Sequence, residues 1–452
     1  MENGEIPVSN NYLILGLARS GITALRWLIQ KGHTVYVSDS DSAKVTTAVA
    51  EGGIAWAEHS DFKKLTALIQ SPGIPLTHPL TLAAREHGVP VMGDIDLFCQ
   101  AHPAARIVGI TGTNGKSTIT TLIGHILKEC GIPAAIGGNV GVAAMSLPDL
   151  PDKGVYVLEL SSYQLDLSQS LSLFGAAWSN ITPDHLERHG NLENYVYAKS
   201  KIFASRAAPP LTAICIDDPY SKEVYERMND AHPGYFTPIS VNRPLAHGVF
   251  VFEGMLIDAT GKERLNLGEI SNLERLKGAH NYQNIAIAYT VCKSLGLKAP
   301  EILAAIKTFP GLAHRQEYVA FMKGVTFIND SKATNAEATA HALSAYGSIY
   351  WIVGGVAKSE GITPLVPLLS QVKKAYLIGE SSDQFAQTLA GHVAWEACET
   401  LSVAVKKAYA EAQLSCGSVL LLSPACASFD QFKDFEHRGN IFKEIVREAI
   451  EN

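Results

Sequence analysis

The stretch "GITGTNGKSTITT", residues 109–121, runs from the end of an apolar segment through a glycine loop into a helix-like run. Upstream, "RIVGIT", Arg106 to Thr111, is short, apolar and β-branched, the pattern of a buried strand. Gly112, Thr113, Asn114, Gly115, Lys116 and Ser117 follow, and then "TITTLIGHILKEC". Strand, glycine loop, Lys-Ser and helix are the parts of a phosphate-binding loop. The glycines let backbone N–H groups close on phosphate oxygens, and the helix N-terminus adds roughly half a positive charge. Lys116 suits the β/γ-phosphates, and the hydroxyl of Ser117 or Thr118 suits Mg²⁺. The pattern has one departure: Ile110 stands where its first glycine belongs. An ordinary strand–helix turn is the competing reading, and we expect ATP here.

Composition bounds the rest. At 452 residues the chain holds two to three domains with ample core. Its 47% hydrophobic and 18% charged residues describe a globular chain, not a disordered one. The net charge of −7 argues against a broad nucleic-acid surface, and no apolar run reaches the roughly 20 residues of a membrane helix. The seven cysteines are dispersed without a C-x-x-C pair, which suits reduced thiols in a cytoplasmic protein. We expect small-molecule substrates, no nucleic-acid or membrane partner, and a monomer.

Strand-like and helix-like segments alternate almost throughout, which favours parallel sheets covered by helices. The expected class is α/β in three consecutive domains. A Rossmann-like N-terminal domain spans 1–103, a P-loop ATPase-like central domain 104–311, and a Rossmann-like C-terminal domain 312–452. "QAHPAAR", 100–106, suits the first boundary, and "FPGLAHR", 309–315, the second.

Gly16-Leu17-Ala18-Arg19-Ser20-Gly21 lies where a dinucleotide-binding turn would, and Asp39 ends the next strand, where an acid often reads a ribose. Ala18 replaces the middle glycine, so another diphosphate fits as well as NAD; a tight turn that needs small residues for packing is the alternative. In "VYVLELSS", Glu159 closes an apolar strand, where a carboxylate must be paired or metal-bound. His185 and His189 in "PDHLERHG" are ordered H-x-E-x-H, unlike a zinc protease. We expect His185 at the Mg²⁺ site and His189 on a solvated helix face. On composition alone, Lys199 and Lys201 in "YAKSKIF" are surface lysines.

Read in order, "GITGTNGKST", "VLELSSYQL", "TPDHLERHG", "YAKSKIF", "HNYQN", "HRQE", "NDSKATN" and "LSPACASFDQFKDFEHRG" resemble the Mur ligase family over nearly the whole chain. "NDSKATN" and "SPACASFDQF" resemble its D-glutamate-adding branch. The resemblance implies an ATP-dependent amide ligase acting on UDP-N-acetylmuramoyl-L-alanine through an acyl phosphate, in peptidoglycan precursor synthesis. It implies that Lys116 contacts the γ-phosphate. It also implies that Ser117 and Glu159 bind one Mg²⁺, and that His185 and a carbamylated Lys199 serve a second. Asn281, Asn284, Arg315 and Asp330 match ATP-binding positions. Leu17, Ala18, Arg19, Ser20, Asp39, Ser40, Gly73, Asn139, Ser161 and Gln164 match those for the UDP substrate. Lys332, Thr334, Lys358, Ser428, Phe429 and Phe435 match those for D-glutamate; core packing is the plain alternative for the two phenylalanines.

Two stretches depart from the family pattern. "GGVAKSEG" has Ala357 and Ser359 around Lys358, where an aspartate and a glycine are common. "GLARSG" carries Arg19 in a turn that is often uncharged, and we expect that arginine to add a contact to the diphosphate. Three other functions compete. A folylpolyglutamate synthase would need no UDP site, and a nucleotide-switched binding protein would leave Lys332 and Lys358 surplus. A nicotinamide dehydrogenase rests on the N-terminal turn alone.

Overall fold

The computed structural model describes residues 10–57, 61–169, 171–204, 211–273, 275–276, 278–358 and 361–451. Ser359 lies outside them. The chain divides into two compact units, Met1–Phe309 and Pro310–Asn452.

The first unit holds two sheets. One contains β1 (Asn11–Leu15), β2 (Thr34–Ser38), β3 (Ile54–Ala55), β4 (Ala67–Gln70) and β5 (Val91–Met92). All are parallel, in the order β3-β2-β1-β4-β5. The chain leaves β1 for one side of the sheet and later returns to β4 on the other. That reversal opens a crevice beyond the strand ends, where ligands bind in sheets of this kind.

The second sheet contains β6 (Arg106–Thr111), β7 (Ala134–Gly138), β8 (Val155–Glu159), β9 (Gly175–Trp178), β10 (Leu211–Cys215), β11 (Phe236–Ser240), β12 (Val249–Phe252), β13 (Met255–Asp258) and β14 (Leu265–Glu269). Its order is β14-β13-β12-β11-β10-β9-β6-β8-β7. Central strands such as "VYVLE" are buried at every position, as parallel strands covered on both faces must be. One apolar cluster joins the two sheets: Ile14 and Leu25 from the first share it with Phe98, Leu158, Leu165 and Trp178.

The second unit contains β15 (Glu317–Met322), β16 (Val325–Asn329), β17 (Ile349–Gly354), β18 (Val372–Ile378), β19 (Ala394–Glu399) and β20 (Ser418–Leu422), ordered β15-β16-β20-β17-β18-β19. Helix Phe435–Glu451 packs on its first strands and buries Phe442 and Val446.

The expected alternation of strand and helix fails in two places. β12, β13 and β14 form an antiparallel meander, and β15 pairs antiparallel with β16. The β12–β13 and β15–β16 hairpins each turn on a residue followed by glycine, Glu253-Gly254 (φ 50 and 76) and Lys323-Gly324 (φ 47 and 80). A two-residue turn with both φ positive matches the twist of an antiparallel pair.

Candidate functional site

The phosphate loop is built as the sequence suggests, from β6 into the helix Lys116–Glu129. Gly115 supplies the left-handed residue that opens the helix, at φ 85, and a Cβ there would lie 2.3 Å from Asn284 Oδ1. Asn284 is buried, and its Oδ1 has no hydrogen-bond partner among the described residues. Its amide donates to Asn281 Oδ1 at 3.1 Å. Asn114 N–H donates to Asn180 Oδ1, and Ser179 Oγ donates to the Asn114 carbonyl. Thr113 Oγ1 accepts from the Thr182 N–H and meets the Tyr195 hydroxyl at 3.0 Å. Asn180, at the end of the apolar strand β9, escaped the sequence reading; its signal was a polar residue where a central strand stops.

Two lysines converge on this loop. Lys116 Nζ donates to the carbonyls of Gly112 at 3.0 Å and Thr113 at 2.7 Å, and Lys199 Nζ donates to Gly112 at 2.7 Å. Lys199 is 2% exposed, with its ammonium 4.8 Å from the Tyr195 ring centroid, so its reading as a surface lysine is wrong. The helix Leu192–Ser200 turns its C-terminal end under the loop and carries Lys199 inward. Burial, reinforced by Lys116, holds its pKa well below the usual lysine range; Asp184 and Glu159 oppose this more weakly.

Glu159 ends β8 buried. One oxygen accepts from Asn139 Nδ2 at 2.7 Å, and the other has no partner among the described residues. A buried, half-satisfied carboxylate beside a phosphate loop suits a hard cation with oxygen ligands. Ser117, in the first turn of the loop helix, adds a hydroxyl. His185 is exposed, holds a positive φ of 52 and meets the Tyr163 hydroxyl at 3.3 Å. The half-satisfied Glu159 carboxylate therefore suits Mg²⁺, although among the described residues no three His, Cys, Asp or Glu side chains gather round one metal position.

His189 is a correction. It is buried, with Nε2 3.0 Å from Ser162 Oγ and its ring against Tyr163 and Tyr195. Burial lowers its pKa. The helix Leu186–His189 is a single turn, so its last residue packs inward where a longer amphipathic helix would show a wet face.

At the crevice between β1 and β4 lies a cavity of about 600 Å³ lined by Ala18, Arg19, Ser20, Asp39, Ser40 and Gly73, among others. Leu17 contributes its N–H, which donates to Asp39 Oδ2 at 2.6 Å; Asp41 N–H donates to Oδ1. Partial burial opposes ionisation of Asp39, but these donors hold its pKa below the usual carboxylate range. Arg19 turns toward the central sheet and donates to the carbonyls of Gly141 at 2.7 Å and Asn139 at 3.3 Å. Ser161 caps the helix Ser162–Leu167, and Gln164 Oε1 accepts from the Ser161 N–H. Arg188 spans the other way, donating to the carbonyl of Ile74 in the cavity wall.

The remaining candidates lie in the second unit. Asp330 is buried; its carboxylate accepts from the Gln316 N–H and from Ser423 Oγ, and burial pushes its pKa up to about 7. Arg315 adjoins this turn, bridged to Leu312. Lys332 donates its N–H to the His314 carbonyl, and its ammonium lies 5.5 Å from the Phe435 ring centroid. Thr334 N–H returns to the Lys332 carbonyl. Ser428 is buried, Lys358 is exposed, and Phe429 is 72% exposed, so core packing does not explain Phe429.

Three family models match in chain order: Mur ligase MurD-like, N-terminal domain over residues 10–93; Mur ligase middle domain over 110–292; and Mur ligase, glutamate ligase domain over 314–426. A UDP-N-acetylmuramoylalanine–D-glutamate ligase of Phenylobacterium zucineum is 42% identical, with 99% of this chain and 98% of that protein covered. The ligase of the same name from Paramagnetospirillum magneticum is 44% identical over 96% of each. Among solved structures, a UDP-N-acetylmuramate–alanine ligase of Thermotoga maritima superposes with a TM-score of 0.60 at 17% identity, over 97% of this chain and 99% of that one. Fold, phosphate loop and these relatives agree along the whole length: the chain belongs to the Mur ligase family.

Proposed function

We propose that this chain joins D-glutamate to UDP-N-acetylmuramoyl-L-alanine with ATP hydrolysed to ADP and phosphate, a step of peptidoglycan precursor synthesis. The observation that carries the reading is the pair of lysines on the Gly112 carbonyl beside the half-satisfied Glu159. The three-domain division at 1–103, 104–311 and 312–452 belongs to the same proposal.

A carboxylate oxygen is a poor leaving group. Transfer of the γ-phosphoryl to the substrate carboxylate gives an acyl phosphate, which the D-glutamate amine attacks; the tetrahedral adduct collapses to amide and phosphate. The protein positions the reactants and neutralises developing charge. Lys116 leaves the loop carbonyls for the γ-phosphate, while Gly112 to Ser117 present N–H groups to the phosphate chain. Asn281 and Asn284 address the nucleoside; Arg315 and Asp330 are assigned to ATP by their match to the family's ATP-binding positions. Ser117, Glu159, His185 and Lys199 as a carbamate would hold two Mg²⁺ ions, which when bound neutralise phosphate charge. Lys199 takes up CO₂ as its neutral amine, losing one proton and gaining a carboxylate; its burial favours that neutral form. The cavity at Ala18 to Ser20, Asp39, Ser40 and Gly73 takes the UDP end, with Asn139, Ser161 and Gln164 on its central-domain side. Lys332, Thr334, Lys358, Ser428, Phe429 and Phe435 take the amino acid.

Phosphate release from ATP tests this, with Mg²⁺ and bicarbonate present. Release that requires both UDP-N-acetylmuramoyl-L-alanine and D-glutamate, and fails with L-glutamate, supports the reading. Release indifferent to the UDP substrate sinks it.

A further inference from the structure

Arg438 is 1% exposed, one of the largest fully buried side chains in the protein. It lies near the start of helix Phe435–Glu451, in a stretch whose arginine the sequence reading assigned to no role. Its Nε donates to Ser331 Oγ at 3.0 Å, and Nη2 donates to the carbonyls of Ser331 at 2.8 Å and Cys426 at 3.0 Å. Its Nη1 has no hydrogen-bond partner among the described residues and lies beneath Gly355, 3.4 Å from where a Cβ would stand. Among the described residues no carboxylate lies within ion-pair distance of it, and the charge of Asp430 acts on it from further off. Burial lowers its pKa to about 10, so it stays charged at neutral pH.

A buried cation with no carboxylate in hydrogen-bond contact is costly. Its position shows what that cost maintains. Ser331 immediately precedes Lys332 and lies three residues before Thr334; Cys426 lies two before Ser428; Gly355 lies three before Lys358; and Phe435 lies on the arginine's own helix. The Ser331 and Cys426 segments hydrogen-bond this one guanidinium, the Gly355 segment lies over it, and Phe435 shares its helix. Two of those segments are strained or tightly closed. Ala425 has a positive φ of 56, unfavourable for a residue with a Cβ, and Gly355 sits so close to the Ala427 carbonyl that a Cβ would lie 2.3 Å from it. Ser331 Oγ passes the connection on by donating to the Phe435 carbonyl at 2.8 Å.

We propose that Arg438 is the positioning and charge-selecting residue of the amino-acid subsite: it pins the 331, 355 and 426 segments of that subsite and makes it favour a dianionic amino acid. This rests on the ligase reading above and names what selects the substrate at that site.

The test compares wild type with Arg438→Lys and Arg438→Met in the full chain. The measurements are KM and kcat for D-glutamate, the rate ratio of D-glutamate to D-glutamine, and the KM for UDP substrate and ATP. The Met variant is expected to raise the D-glutamate KM about tenfold, the scale of one charge-assisted hydrogen bond, and to narrow the D-glutamate to D-glutamine ratio. The Lys variant, which keeps the charge but not the fork, is expected to raise KM while retaining that ratio; it decides the matter if the Met variant does not fold. An unchanged KM and ratio in a folded variant, or losses spread equally over all three substrates, overturn the proposal. Inactivity of wild type on D-glutamate overturns the ligase reading instead.

Discussion

Lys116 and Lys199 direct their ammonium groups at one acceptor, the Gly112 carbonyl, at 3.0 and 2.7 Å. Two cations on one oxygen repel each other, and Lys199 is the more deeply buried. The strain is relieved when Lys199 gives up its proton and when Lys116 moves to a phosphate. The loop is thus held in a form that favours both events.

Replacing Lys199 by Met separates stability from function. The folded-state pKa of Lys199 lies well below its unfolded value, so between the two values the unfolded chain binds more protons, and the lysine destabilises the fold at every pH below the unfolded value. That penalty grows as pH falls and fades as pH rises toward the unfolded value. Lys199→Met should therefore raise Tm at neutral pH by about 2–4 °C, the shift per kcal/mol in a domain of this size. It should lower kcat by about 100-fold or more, as loss of an electrostatic partner does. Melting and steady-state assays on the same preparation decide; a lower Tm would contradict the sign argued here.

The Gly115→Ala variant tests the loop geometry. At φ 85 with Asn284 Oδ1 in the place of a Cβ, alanine must both strain the backbone and push Asn284 away. Strain of about 1–3 kcal/mol corresponds to roughly five- to 150-fold in ATP affinity. The KM for the UDP substrate should stay within about threefold, since that cavity is built from other segments. Equal losses for both substrates would point to a general folding defect.

Arg19 was expected at the diphosphate, and its guanidinium is found on the Asn139 and Gly141 carbonyls. Since it also lines the cavity, the two roles can be measured apart. Arg19→Ala should raise the KM for the UDP substrate about tenfold if it also meets the diphosphate. It should raise the Mg²⁺ requirement as well, because Asn139 donates to Glu159. An unchanged UDP-substrate KM leaves the arginine as a clasp between the two sheets and nothing more.

How much of this was legible beforehand follows the range of the interactions. The phosphate loop, Glu159 and the Asp39 turn are local: a strand end, a few small residues and a helix start define them, and the structure places them accordingly. The burial of Lys199, His189 and Arg438 was not legible, because each depends on partners from distant segments: Gly112, Ser162, and Ser331 with Cys426. The antiparallel meander β12–β14 lay between. Its signal, Glu253-Gly254 between two apolar runs, was present and outweighed by the strong βα rhythm around it.

Asp330 gives a pH prediction with a definite sign. Its pKa rises from 3.8 in the unfolded chain to about 7 in the fold, so between those values the folded state binds more protons. Stability from this group is fully present below the unfolded pKa and is lost as pH rises to about 7, where the loss levels off. His314, in the same unit, has a lowered pKa and acts in the opposite sense, so the wild-type profile alone mixes the two. Asp330→Asn isolates the aspartate. The amide oxygen can keep the Gln316 N–H, and its NH₂ can donate to Ser423 Oγ, whose hydroxyl still reaches Thr339 Oγ1 at 3.1 Å. Relative to the variant, wild-type amide protection in β16 and β20 should decline from pH 4 to 7. Hydrogen exchange on the full chain at matched intrinsic rates reads this directly. Parallel pH profiles for the two proteins would mean that Asp330 titrates as an ordinary carboxylate.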